Sequence, residues 1–148
     1  MKKISIRKGG DCLQQNSERK TESEHQSKFA QQMKKGVLDM LVLKLLMMEE
    51  KYGYQLISEL KEKSGGMIVL KEGTLYPILY RLEDDQLIIS RWSEPKGREV
   101  SRKYYGITEK GKRTVREMYE LWSSFSDTVG RMMSEEQLPG DSKSGGEL

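Results

Sequence analysis

Cysteine and histidine are nearly missing from this 148-residue chain, which has one of each, Cys12 and His25. No disulfide framework and no zinc ligand set can be assembled from them, so a reducing, cytoplasmic setting is expected. A Ser/His/Asp constellation, a phosphate-binding glycine loop and a metal cluster are all lacking, which argues against an enzyme and against a bound cofactor. Long apolar runs are lacking too. The most apolar stretch, residues 37–48, is short for a membrane span and is broken by Asp39 and Lys44. The basic first eight residues are not followed by an apolar run, so no secretory signal is read. Neither sign of charge dominates: 26 Lys and Arg stand against 23 Asp and Glu, a net charge of +3, so any electrostatic footprint must come from local clustering. Hydrophobic content is 35%, low for a chain that is globular throughout, and part of it is expected to be unfolded.

Periodicity divides what is present. Residues 1–28 are polar and aperiodic and read as a disordered arm. From about Phe29 the pattern turns helical, and Val37, Leu38, Met40–Leu43 and Leu45–Met48 make a helix apolar nearly all round. A short helix with no polar face is covered on more than one side, either inside a monomeric bundle or, as a domain this small favours, by a second subunit. Residues 52–63 form a second amphipathic helix with Tyr54, Leu56, Ile57 and Leu60 inward, stopped by Ser64-Gly65-Gly66. Residues 67–70 are a brief β-prone run.

The organising stretch is residues 71–89. Leu75, Ile78, Leu79 and Leu82 form a helical apolar stripe, while Lys71, Thr74, Tyr76, Tyr80 and Arg81 carry hydrogen-bond donors on the other face. Such a face suits a nucleic-acid groove or is simply solvated. Residues 87–92 and 102–108 are strand candidates joined by a turn with Pro95 and Gly97, a hairpin whose tip carries Lys96 and Arg98. Thr108 is a plausible N-cap for a last helix. There Val115, Met118, Trp122, Phe125, Val129 and Met132 alternate in steps of three and four, the seam of a two-helix interface.

Two short helices, a third with a donor-rich face, and a basic-tipped hairpin form a helix-turn-helix followed by a wing. The fold class is therefore mainly α with a small β-wing: a winged helix-turn-helix domain over residues 29–108, a dimerisation helix over 109–137 and a flexible tail over 138–148. Tyr52-Gly53-Tyr54, the block Gly73-Thr74-Leu75-Tyr76-Pro77 through Leu82, and Arg102-Lys103-Tyr104-Tyr105-Gly106-Ile107-Thr108 resemble the PadR family of transcriptional regulators, in the short subclass with a single C-terminal helix. The resemblance covers about residues 33–133.

It implies a homodimeric repressor on an inverted-repeat DNA operator, released by a small aromatic or drug-like effector, with no membrane partner. By family position Tyr52, Lys71, Thr74, Tyr76, Tyr80 and Arg81 would face DNA from the helices, and Arg98, Arg102 and Lys103 from the wing. Met33, Met40, Tyr119 and Trp122 occupy the positions that bind flat aromatics, although a helical aromatic stripe is ordinarily dimer core. The chain departs from the family pattern at Lys71 and in the two acids, Glu94 and Glu99, of the wing tip. The alternative reading is a winged-helix protein-interaction module without DNA-binding activity.

Overall fold

The computed structural model describes residues 10–135. Its elements, in order, are α1 (Gly10–Met48), β1 (Lys51–Tyr52), α2 (Gly53–Lys63), α3 (Glu72–Asp84), β2 (Ile88–Trp92), β3 (Lys103–Ile107) and α4 (Glu109–Glu135). Contacts divide the chain after Asp39, and the unit beginning at Met40 holds every element from β1 onward. This is the expected winged-helix architecture: mainly helical, a small antiparallel sheet, and one long C-terminal helix.

The α1 helix begins at Gly10, well before the periodic pattern. Residues 11–35 contain neither glycine nor proline and are rich in Gln, Glu, Lys and Arg, all good helix formers. Helix formation of this kind leaves no apolar period to read. Residues 1–9 of the expected arm and the expected tail over 138–148 lie outside the described residues.

In the second unit Val42, Leu43, Leu45 and Leu46 from α1 are buried, with Leu56 and Leu60 from α2 and the stripe Leu75, Ile78, Leu79 and Leu82 from α3. Tyr54, expected inward, is 68% exposed, because Gly53, Leu56 and Leu60 already define the inner face of α2. The α2 helix ends as its sequence asks. Gly65 and Gly66 adopt φ of 61° and 84°, and Gly66 N donates to Lys61 O at 2.8 Å, closing a left-handed C-terminal cap. The β-prone residues 67–70 then run without pairing into Lys71, the N-cap of α3.

The sheet is three-stranded and antiparallel in the order β1-β3-β2. Its third strand is the two-residue β1, where Lys51 opposes Tyr105 and Tyr52 opposes Tyr104. Lys51 is only 3% exposed. Its Nζ donates to Glu59 Oε1 at 2.9 Å and to Glu49 Oε1 at 3.0 Å, so the buried ammonium is paired on two sides. Burial alone would lower its pKa, but the bonds from Glu59 and Glu49 together outweigh that, and the pKa is raised.

Thr108 caps α4, its Oγ1 accepting from Gly111 N at 3.0 Å. The same hydroxyl donates to Leu87 O at 3.0 Å, and Thr108 N donates to that carbonyl as well, tying the start of α4 to the residue that leads into β2. Val115 was expected on the seam of the last helix. At 4% exposure it belongs to the protomer's own core, and Met118 is half-buried. Further along the same stripe Trp122, Phe125, Val129 and Met132 are 44%, 66%, 42% and 64% exposed.

Candidate nucleic-acid interface

The α3 helix turns its leucine-rich stripe into the core, so the opposite face is presented by geometry. Lys71, Thr74, Tyr80 and Arg81 are exposed there, and Tyr76 is half-buried. Tyr76 is partly committed: a Cβ on Gly53 would stand 2.9 Å from its hydroxyl oxygen. The glycine at the start of α2 thus admits the tyrosine ring of α3, which accounts for the Tyr-Gly-Tyr motif. Pro77 sits in the second turn of α3, exposed, where its missing N–H leaves the Gly73 carbonyl without its helical donor.

The wing joins this face through aromatic rings and cations. Arg102 Cζ lies 4.6 Å from the centre of the Tyr52 ring. Lys103 Nζ lies 5.9 Å from the Tyr80 ring and 5.6 Å from the Tyr105 ring. Tyr76 and Tyr80 are 6.4 Å apart, and Tyr52 meets Tyr104 edge-on at 5.5 Å. Cation–π contacts of this kind contribute about 0.5–1 kcal/mol each at exposed sites and fix the direction of a charged head without neutralising it. These contacts form two groups, Tyr52, Tyr104 and Arg102 on one face of the sheet and Tyr76, Tyr80 and Lys103 on the face toward α3. Arg98 is exposed near the wing tip, beyond the end of β2, where Gly97 takes a φ of 65°.

Two neighbours, Arg91 and Glu50, were not named from the sequence. Arg91 Nε donates to Glu50 Oε2 at 2.7 Å, and its guanidinium lies 5.2 Å from the Tyr104 ring. The Glu50 hydrogen bond raises the Arg91 pKa, keeping it a fixed positive charge. Glu50 reaches Arg91 by crossing Gly106, whose added Cβ would be 3.3 Å from the Glu50 side chain. Strand alternation could have paired Arg91 with Tyr104, but the carboxylate from the α1–β1 turn carries no local signal.

Tyr105 of β3 is a core residue, 1% exposed. Burial, with minor contributions from neighbouring tyrosines and Glu83, pushes its pKa up to about 12, so it is a neutral phenol in any ordinary buffer.

The expected effector residues are dispersed along two helices. Met33 is exposed on α1 and Met40 is half-buried. Tyr119 and Trp122 stack on α4, with ring centres 6.4 Å apart at an interplanar angle of 16°. A cavity of about 320 Å³ opens elsewhere, between α2 and the end of α1, lined by Leu41, Leu45, Met48, Leu60 and Ile68, and none of the four expected residues lines it.

Among the described residues no helix is long and apolar enough to cross a membrane, and no cluster of three or more His, Cys, Asp or Glu could hold a metal. The surface offers donors, cations and exposed rings, a chemistry of binding to an anionic polymer.

Comparison with known proteins agrees. Residues 42–117 match the family described as "Transcriptional regulator PadR-like family". A PadR family transcriptional regulator from Eggerthella lenta DSM 2243 is 34% identical, with 78% of this chain and 98% of that chain covered and a TM-score of 0.70. A PadR-like transcriptional regulator from Bacillus cereus strain ATCC 14579 is 35% identical over 71% of this chain and 99% of its own, with a TM-score of 0.60. An uncharacterised protein of Lysinibacillus sphaericus is 29% identical over 99 residues, 67% of this chain and 90% of its own length.

Proposed function

We propose that this chain, which belongs to the PadR-like family of transcriptional regulators, is a cytoplasmic repressor that binds an inverted-repeat operator as a homodimer. The observation that carries the reading is the meeting of α3 with the wing, where Lys103 lies over the Tyr80 ring of the helix that also exposes Thr74 and Arg81, while Arg102 lies over Tyr52 on the other face of the sheet. Donors on α3 read base edges in the major groove, while the wing cations, with Arg98 nearer the tip, lie along phosphates. Lys71, at the N-cap, stands where a phosphate would meet the helix start. Tyr76, wedged against Gly53, orients the helix and leaves Thr74, Tyr80 and Arg81 as its outermost groups.

The homodimer is supported by the exposed seam of Trp122, Phe125, Val129 and Met132, an apolar stripe that one protomer leaves uncovered. Two such chains related by a two-fold axis meet two half-sites, so the operator is expected to be a near-palindrome. The stacked Tyr119 and Trp122 make the flat platform for an aromatic effector.

In vitro selection from a random duplex library tests the repressor reading. Enrichment of an inverted repeat, bound by one dimer per site, is the expected result. Recovery of no shared sequence from a folded dimer would favour a winged-helix interaction module instead.

A further inference from the structure

We propose that the Trp92 indole, at the base of the wing, is a further DNA contact that seats on the sugar-phosphate backbone beside the groove read by α3. The inference rests on the α3-and-wing reading above and adds to it a residue that neither the family resemblance nor the charge pattern singles out.

Strand alternation fixes where Trp92 stands. One face of β2 carries Ile88, Ser90 and Trp92, opposite Ile107, Tyr105 and Lys103 of β3. This face looks onto α3, since Ser90 Oγ donates to Glu83 Oε1 at 2.6 Å. One pair further out, the Trp92 partner Lys103 has its ammonium 5.9 Å from the Tyr80 ring, one turn nearer the start of α3. Moving outward along β2 therefore moves toward the N-terminal part of α3, the part that carries Thr74 and Lys71. Burial falls along the same path: Ile88 is 1% exposed, Ser90 is half-buried and Trp92 is 65% exposed. The indole emerges where the core ends and the donor-rich surface begins.

Its base is rigid. Immediately beyond it Ser93 N donates to Arg102 O at 2.8 Å, Arg102 N donates to Ser93 Oγ at 2.8 Å, and Ser101 Oγ donates to Ser93 O at 2.6 Å. The wing stem is thus closed on both strands at the level of Trp92, and the ring is presented from a fixed backbone.

The chemistry fits a backbone contact better than a base contact. Indole has a broad apolar body and a single donor with no acceptor. Deoxyribose offers an apolar edge, and the adjoining phosphate offers only acceptors. Lys103, the Trp92 partner on the neighbouring strand, supplies the charge that brings a phosphate to this place.

Intrinsic fluorescence gives a direct test because the chain has only two tryptophans, Trp92 and Trp122. Wild type and Trp92→Phe are titrated with a random-sequence duplex of several helical turns at low ionic strength, and the affinity of wild type and Trp92→Ala is measured with the same duplex by fluorescence anisotropy. The expected result is an emission change in wild type that disappears in Trp92→Phe, together with an affinity loss of about tenfold in Trp92→Ala. An emission change that survives in Trp92→Phe, or an unchanged affinity in a Trp92→Ala protein of native circular dichroism, overturns the inference while leaving DNA binding intact. Failure of wild type itself to bind the duplex overturns both the inference and the reading on which it rests.

Discussion

At Gly111 the first turn of α4 passes so close to Leu87 that an added Cβ would stand 2.1 Å from its carbonyl oxygen and 2.7 Å from Ile107 Cγ1. Backbone cannot yield there as a side chain could, so Gly111→Ala is expected to destabilise by about 2–4 kcal/mol, read as a lower denaturant midpoint with an unchanged slope. Gln86 presents the opposite case. It holds a φ of 62° at the end of α3, where Gln86 N donates to Glu83 O and Leu87 N to Leu82 O, a left-handed cap that usually takes glycine. Gln86→Gly should therefore stabilise by up to about 1 kcal/mol, and a measured loss of stability would contradict this account of the cap.

Two buried groups set the alkaline limit of the fold. Tyr105 has its folded pKa pushed up to about 12 from an ordinary 10.0, and the raised pKa of Lys51 lies above an ordinary 10.5. In both cases the folded state holds its proton more tightly than the unfolded state. Stability is thus fully present below the unfolded pKa and is lost as pH rises through the folded one. Denaturant unfolding should show a plateau at neutral pH and a decline from about pH 10 upward, with a shallower decline in Tyr105→Phe.

Among the elements, α2, α3, β2, β3 and α4 were legible because each carries its own period or its own stop signal. The stripe Leu75, Ile78, Leu79 and Leu82, the Gly65-Gly66 stop and the Thr108 cap all appear where the sequence implies them. Lys51–Tyr52 was not legible as a strand. Two residues cannot show alternation, and their pairing with Tyr105 and Tyr104 is decided some fifty residues away. Residues 67–70 have β propensity but no partner strand, and propensity without pairing does not make a strand. On the candidate surface the α3 residues could be read from spacing, whereas the Glu50–Arg91 pair across Gly106 could not, since it joins three separate segments.

The last helix carries the prediction that belongs to this scale. Val115 lies in the protomer core, so the interface should depend on the residues beyond it. Phe125→Asp, at a position 66% exposed in one protomer, should weaken the dimer by at least about 2 kcal/mol, more than tenfold in its dissociation constant, while thermal unfolding of the winged domain persists. Sedimentation across a concentration series distinguishes this from an unchanged dimer, which would move the interface elsewhere. The same helix bears Trp122, and its emission should be quenched by planar aromatic cations; quenching that survives in Trp122→Ala through Trp92 would remove the platform from α4.

For the whole molecule, a nearly balanced charge of +3 has to produce affinity for a polyanion through placement. In the proposed function this falls to α3 with Lys103 beside the Tyr80 ring, and to Arg102 beside the Tyr52 ring. Glu94 and Glu99 add two acids to the wing tip, which would blunt its affinity for phosphates. Affinity should then depend on a few cations, and each one removed should lower the salt slope by about 1.

The most direct measurement is a titration of the purified protein against a duplex from the region upstream of its own coding sequence, at two salt concentrations, with Arg81→Ala and Arg102→Ala in parallel. The account predicts binding tighter than to a random duplex, a steep loss with salt, and weaker, less salt-dependent binding by both variants with dimerisation preserved. An intact dimer that ignores the duplex at both salt concentrations, or variants that bind like wild type, would contradict it.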